Sequence, residues 1–281
     1  MFNKIKRLLK PLETQPSGLI VIETTTICNL QCLHCPCPEK TGGIMEWVIF
    51  TRIIDKTCSF AKEYRLSNWG EPMLHPRLYN MIAYIKHKDR NIRVSMFSNG
   101  NILNKGRIAA VCESGLNEIT VGLDGYNQDT YEQHRPGGNF KVVNDFIRLC
   151  GDERRLCNLD LTIKASVKET TSLNQNIKII KDIAKDLGCD EVVRVHYDGE
   201  SRRNGNYCDE LFETIFFDVK GRLHPCSHYV VKEHLENHHT KDSIVNHNDV
   251  KKWWQDSFFY LRRQCRENEH MQLCRGCHKN G

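Results

Sequence analysis

The chain has no apolar stretch approaching the roughly 20 residues that a membrane span requires, and no short apolar region of the kind found in signal peptides. Both absences lead us to expect a cytoplasmic protein with no membrane partner. Nor is there a run of one charge. The formal net charge of +5 is small for 281 residues and is not concentrated, so nucleic acid is not an expected partner. The one short basic amphipathic stretch, residues 1–10 of an N-terminal arm over 1–17, reads as a frayed or surface-packed arm rather than a membrane or partner contact. Against these absences stand 14 cysteines. Disulfides are not expected to hold them in a reducing compartment, so metal clusters account for the excess and bring oxygen sensitivity with them. Hydrophobic residues at 40% and charged ones at 27% otherwise describe an ordinary globular protein.

Three of the cysteines, Cys28, Cys32 and Cys35, form a C-x3-C-x2-C array directly after the apolar run 19–23. Three thiolates on one tight loop with no fourth ligand at matching spacing suit a [4Fe-4S] cube that keeps one iron open. A zinc site is the competing reading of the same residues. The array resembles the hallmark of the radical S-adenosylmethionine (radical SAM) enzymes. That resemblance implies that SAM chelates the open iron and is reductively cleaved to methionine and a deoxyadenosyl radical. It also implies that His34 stands where the family has an aromatic residue against the adenine.

Strand-like segments at 19–23, 64–68, 92–97, 118–123, 159–165 and 191–196 alternate with helix-like segments at 46–60, 77–89, 104–114, 128–150 (interrupted at 136–138) and 173–187. Alternation of this kind predicts a parallel α/β arrangement. With the resemblance, it implies a partial (β/α)6 TIM-like barrel over residues 18–198, its chemistry at the C-terminal ends of the strands.

The strand ends carry further matches to the family. Gly70-Glu71-Pro72 resembles its Gly-Gly-Glu-Pro motif, with Trp69 in place of the first glycine. There the resemblance implies that backbone and carboxylate receive the amine of SAM. Ser98-Asn99-Gly100 resembles the Thr-Asn-Gly turn that borders the ribose and methionine. Leu123-Asp124-Gly125 resembles the Ser-Leu-Asp-Gly segment, with Gly122 where serine is common, and Arg135 begins an Arg-x-x-Gly-x-Phe-like passage. Arg135 is left with two readings, a contact to the SAM carboxylate or a helix cap. Lys164, Ser166, Lys168, Arg194, His196 and Asp198 sit at the last strand ends as expected substrate contacts, with Arg194 and His196 the catalytic candidates.

Beyond residue 198 the alternation stops. A hairpin is expected over 214–226, turning at Lys220-Gly221, and then a helix over 250–263. Cys208, the Gly-x-x-x-Pro-Cys ending at Cys226, the Trp-rich helix and the terminal Cys274-x-x-Cys277 resemble the twitch form of the SPASM extension. For residues 199–281 the resemblance implies an auxiliary [4Fe-4S] cluster on Cys208, Cys226, Cys274 and Cys277, with Cys265 as a rival ligand. A four-cysteine zinc ribbon is the alternative, and a mixed site with histidines 224, 228, 234, 238, 239 and 247 is another, although these lack a repeated ligand spacing. Cysteines 58, 112, 150, 157 and 189 read as buried packing residues. Cys37 lies close to the cluster loop but outside its frame.

Taken together, the expectation is an enzyme with two [4Fe-4S] clusters and SAM that oxidises a small sugar-like or aminocyclitol substrate by two electrons. An electron donor such as flavodoxin or ferredoxin is implied with it. A peptide maturase making a thioether, a carbon–carbon link or an epimer is the alternative within the family. A zinc-bound scaffold is the alternative outside it.

Overall fold

The computed structural model describes residues 15–33, 35, 42–195, 208–227 and 242–267. Six βα units run in chain order. Strands β1 (Leu19–Ile22), β2 (Glu63–Arg65), β3 (Arg93–Ser98), β4 (Glu118–Gly122), β5 (Thr162–Lys168) and β6 (Glu191–Val195) alternate with helices. The helices are α1 (Trp47–Thr57), α2 (Leu78–Lys88), α3 (Lys105–Glu113), α4 (Gln128–His134), α5 (Phe140–Leu156), α6 (Thr171–Gln175) and α7 (Ile177–Asp186). Side chains that withdraw from the helix interior and favour caps set several starts. Asn104 caps α3, Asn139 caps α5, and Asn127 with Thr130 forms a reciprocal capping box on α4.

The sheet has eight strands in the order β6-β5-β4-β3-β2-β1-β7-β8, parallel through β7. Beyond the expected six strands, β7 (Ile215–Phe217) pairs with β1 and β8 (Leu223–His224) closes an antiparallel hairpin on it. The C-terminal hairpin thus continues the sheet on the β1 side. Helices α8 (Asp209–Glu213), α9 (Val250–Ser257) and α10 (Phe259–Glu267) pack beside it. Arg262 is buried there against the Trp254 ring at 3.8 Å, and its Nε donates to the Leu211 carbonyl at 3.0 Å. Bonding to carbonyls is what allows a guanidinium to lose its water.

The fifth strand lies three residues later than the sequence suggests. Helix α5 continues to Leu156, and residues 157–161 are used by its exit turn, where Asn158 takes a left-handed φ of 49° and the Leu159 amide returns to the Arg154 carbonyl. Two expected helices are split, at Asn176 and at Phe258.

Alternation along the strands separates the two faces of the sheet. Tyr64, Val94, Met96, Ile119, Val121, Ile163 and Ala165 join the apolar core beneath the helices. Each such side chain contributes about 1.5–3 kcal/mol by leaving water. The opposite face is charged or polar from β2 to β5 apart from Phe97, and on β1 and β7 it carries the buried apolar Val21 and Phe216. Ser95 Oγ donates to Glu63, and Arg93, Glu118, Lys164 and Glu191 form a chain of ion pairs across β3 to β6 at 3.0–3.3 Å.

Candidate functional site

The site is built where β1 ends. Residues 24–26 leave the sheet and bond to 43–45, with Thr26 N donating to the Gly43 carbonyl at 2.9 Å and Met45 N to that of Thr24 at 2.9 Å. The cysteine loop is then held against the segment after α4, where Leu33 N donates to the His134 carbonyl and Gln31 N to that of Pro136. Cys28, Cys32 and Cys35 are all half-buried on this loop. Asn99 Nδ2 lies 3.7 Å from Cys28 Sγ, and Arg135 Nη1 lies 3.9 Å from Cys32 Sγ. Burial pushes the Cys32 thiol up, with Arg135 acting against it.

This donor set fits an iron-sulfur cube better than zinc. Three thiolates with no fourth ligand at matching spacing leave one iron of a cube open, whereas a structural zinc takes four protein donors. N–H donors aimed at sulfur also suit thiolates that carry cluster charge.

The loop after β2 lies directly on the cysteine loop. A Cβ at Gly70 would fall 1.9 Å from the Thr25 carbonyl oxygen, so only glycine allows this approach, and Glu71 N donates to the Ile27 carbonyl at 2.8 Å. The Glu71 carboxylate is turned toward β3. It accepts from Asn99 N at 2.6 Å, Ser98 Oγ at 2.9 Å and Met73 N at 3.0 Å. Burial raises its pKa, and these donors oppose the rise. Glu71 therefore holds the Ser98-Asn99 turn in place, with both carboxylate oxygens engaged inside the protein.

On the β4 side, Arg135 makes a two-pronged pair with Asp124 Oδ2 through Nε at 2.8 Å and Nη2 at 2.7 Å. Asp124 Oδ1 accepts from Lys168 N at 2.6 Å, which ties the end of β5 to the same carboxylate. Burial disfavours the Arg135 charge, yet Asp124 together with Tyr131 and Cys32 outweighs it and keeps the group charged. Of the two readings of Arg135, the helix cap is the one formed, its amide closing α4 on the Tyr131 carbonyl, while its guanidinium lies beside the Cys32 sulfur. The glycine at 122 is explained by the same arrangement, since a Cβ there would lie 1.9 Å from Arg135 Nη2.

Gly70, Glu71, Ser98, Asn99, Asp124 and Arg135 are thus brought together around the three cysteines. Arg194 is not. On β6 it shares a face with Val192, which packs against the core, while Glu191 points to the opposite face and meets Lys164. Its guanidinium lies 3.5 Å from Glu169 and is about half exposed. His34, Cys37, His196, Asp198, Cys274 and Cys277 lie outside the described residues, as do histidines 228, 234, 238 and 239.

Glu23 closes the run that precedes the cysteine array and belongs to none of the sequence motifs. It ends β1 at 2% exposure, accepts from Trp69 N at 3.3 Å, and is pushed up to about 8 by burial, with the nearby Asp218 charge acting in the same direction. An acid closing an apolar strand run was the available signal. Asp218 behaves oppositely. Burial would raise it, but His224 and Arg222 hold it at about 2. In the C-terminal region Cys208 and Cys226 are half-buried. The Glu210 carboxylate, two residues after Cys208, accepts from Ser227 Oγ at 2.8 Å and Ser227 N at 3.1 Å. Cys265 is 3% exposed in the apolar cluster. Cys112 and Cys150 are buried as expected, Cys58 and Cys189 are half-buried, and Cys157 is exposed at the end of α5.

Residues 22–162 match the radical SAM superfamily, and the chain belongs to that superfamily. The family implies a [4Fe-4S] cluster and SAM. Among curated proteins, the chain is 27% identical to the AdoMet-dependent heme synthase of Methanosarcina barkeri, over 62% of this chain and 49% of the relative. It is 28% identical to a GTP 3',8-cyclase of Limosilactobacillus fermentum, over 45% of this chain and 39% of the relative. The chain thus spans about half the length, or less, of these relatives. Solved structures share the fold at low identity. Streptococcus suis SuiB bound to the precursor peptide SuiA superposes with a TM-score of 0.72 at 12% identity, covering 93% of this chain and 71% of that one. The values for anSMEcpe with AdoMet and the Cp18Cys peptide are 0.65, 14%, 92% and 87%. For BtrN with AdoMet and 2-DOIA they are 0.56, 18%, 89% and 87%. Among the described residues no helix is long and apolar enough to cross a membrane.

Proposed function

We propose that this protein is a radical SAM enzyme that oxidises a small polar substrate, such as a sugar-like or aminocyclitol alcohol, by two electrons. The polar face of β2 to β5 carries this reading, because a wall of hydroxyls and charges favours a hydrophilic molecule over an apolar one. Bound at Cys28, Cys32 and Cys35, a [4Fe-4S] cluster with SAM on its open iron supplies reductive cleavage to methionine and a deoxyadenosyl radical.

The chain's own residues supply position. Glu71 holds the Ser98-Asn99 turn, Asn99 and Arg135 direct N–H groups at the ligand sulfurs, and Asp124 keeps Arg135 aimed at the site. In the overall balance a carbon-bound hydrogen of the substrate ends on deoxyadenosine, its hydroxyl loses a proton, and one electron leaves for an acceptor. We assign that acceptor to an auxiliary cluster in residues 199–281, held by Cys208, Cys226, Cys274 and Cys277, beside a barrel unit of residues 18–198. Clamping of the Cys208 and Cys226 segments by Glu210 and Ser227 supports the assignment. A cytoplasmic setting with a flavodoxin- or ferredoxin-like donor accompanies it. A peptide maturase is the second reading, favoured by the superposition on SuiB bound to its precursor peptide.

Iron, sulfide and zinc per chain after anaerobic reconstitution test the proposal, together with the electron paramagnetic resonance spectrum with and without SAM. About eight irons, with one signal moved by SAM, are expected for two clusters. About four irons plus one zinc would remove the electron-acceptor role.

A further inference from the structure

On the polar face of β2 to β5 one side chain departs from its surroundings. Phe97 is 40% exposed and takes no part in the apolar core cluster, although Met96 and Val94 of the same strand do. By strand alternation it shares its face with Ser95 and stands opposite Thr120 of β4. The Arg65 guanidinium lies over its ring at 5.4 Å. A ring left wet on a polar wall adds little to folding, and an exposed cation–π contact contributes only about 0.5–1 kcal/mol. Packing therefore does not account for the pair.

The charges around it are unequally satisfied. Lys164 is shared between Glu118 at 3.2 Å and Glu191 at 3.0 Å, and Arg93 meets Glu118 at 3.3 Å. Arg135 is paired with Asp124 through Nε and Nη2 and directs Nη1 at Cys32. Among the described residues Arg65 has only Glu63 as an ionic partner, at 3.7 Å, beyond a good hydrogen bond, and that carboxylate is already held by Ser95 Oγ at 2.6 Å. The Arg65 side chain is 33% exposed, so its planar fork retains donors for a ligand.

We propose that Arg65 and Phe97 form an oxyanion-recognition subsite on the polar face, at the C-terminal ends of β2 and β3. It takes a small molecule bearing a carboxylate or phosphate, with the anionic group on Arg65 and the carbon skeleton against the Phe97 ring. This deepens the function proposed above and rests on it.

The test uses reconstituted protein and isothermal titration with glucose, glucose 6-phosphate and glucuronate. At least one of the two charged sugars is expected to bind at least tenfold more tightly than glucose. Arg65→Met is expected to abolish that preference, and Arg65→Lys to keep part of it by retaining the charge. Phe97→Ala is expected to weaken the charged sugar while leaving binding of inorganic phosphate in place. Failure of both charged sugars to bind, or equal binding by Arg65→Met, overturns the subsite. Reductive SAM cleavage by the parent protein is measured in parallel. Its absence sinks the underlying reading, whereas cleavage without anion preference sinks the subsite alone.

Discussion

The indole Nε1 of Trp69 donates to the carbonyl oxygen of Ser227 at 2.5 Å. Trp69 precedes Gly70 on the loop that lies against the cysteine array, and Ser227 directly follows Cys226. A residue that departs from the family's glycine therefore joins the loop on the cysteine array to the segment that follows the C-terminal hairpin.

Replacing Trp69 with Phe keeps the ring and removes the donor. The expected cost is about 1 kcal/mol, the usual net worth of one such bond. Amide exchange over 222–227 should quicken while exchange in α1 stays unchanged. Equal exchange in parent and variant would show that the bond holds nothing.

Gly122→Ala should be severe for a residue that exposes no side chain. The added Cβ displaces the Arg135 guanidinium from Asp124, and breaking a buried pair costs about 3–5 kcal/mol. Loss of SAM binding is expected together with a lowered thermal midpoint. Normal SAM affinity in this variant would remove Arg135 from the site.

Glu23 makes stability depend on pH in a defined direction. Its folded pKa of about 8 lies above the ordinary 4.5, so between these values the folded chain holds a proton that the unfolded chain has lost. The contribution is full below about pH 4.5 and is lost as pH rises toward 8, at roughly 1.4 kcal/mol per pH unit within that window. Urea midpoints of Glu23→Gln should fall less between pH 5 and 8 than those of the parent. Parallel curves would assign the slope to other groups.

The two sets of cysteines should separate functionally. Cys28→Ala is expected to abolish SAM cleavage, whereas Cys274→Ala should keep some cleavage and lose substrate oxidation. Full product formation by the Cys274 variant would end the electron-acceptor role.

Much of the fold was legible because its signals are local. Apolar strand runs, capping residues such as Asn104 and Asn139, and the C-x3-C-x2-C spacing all act within a few residues, and they placed the first four strands and the cysteine loop closely. The fifth strand was placed early because the extent of α5 depends on its packing against the sheet and on the left-handed turn at Asn158, which no periodicity marks. Arg194 was read as a strand-end contact because alternation gives two faces without saying which one meets the helices.

By itself, the sequence determined the class of chemistry. Ligand type and spacing are covalent facts, and three thiolates on one loop restrict which cofactor fits wherever the loop goes. The tertiary structure decided the partners. Only the fold turns Glu71 toward β3, lays Arg135 over Gly122, joins β7 to β1 and brings Trp69 to Ser227. Each of these contacts spans residues far apart in the chain, and its strength comes from burial and from the strand register, which are properties of the assembled sheet.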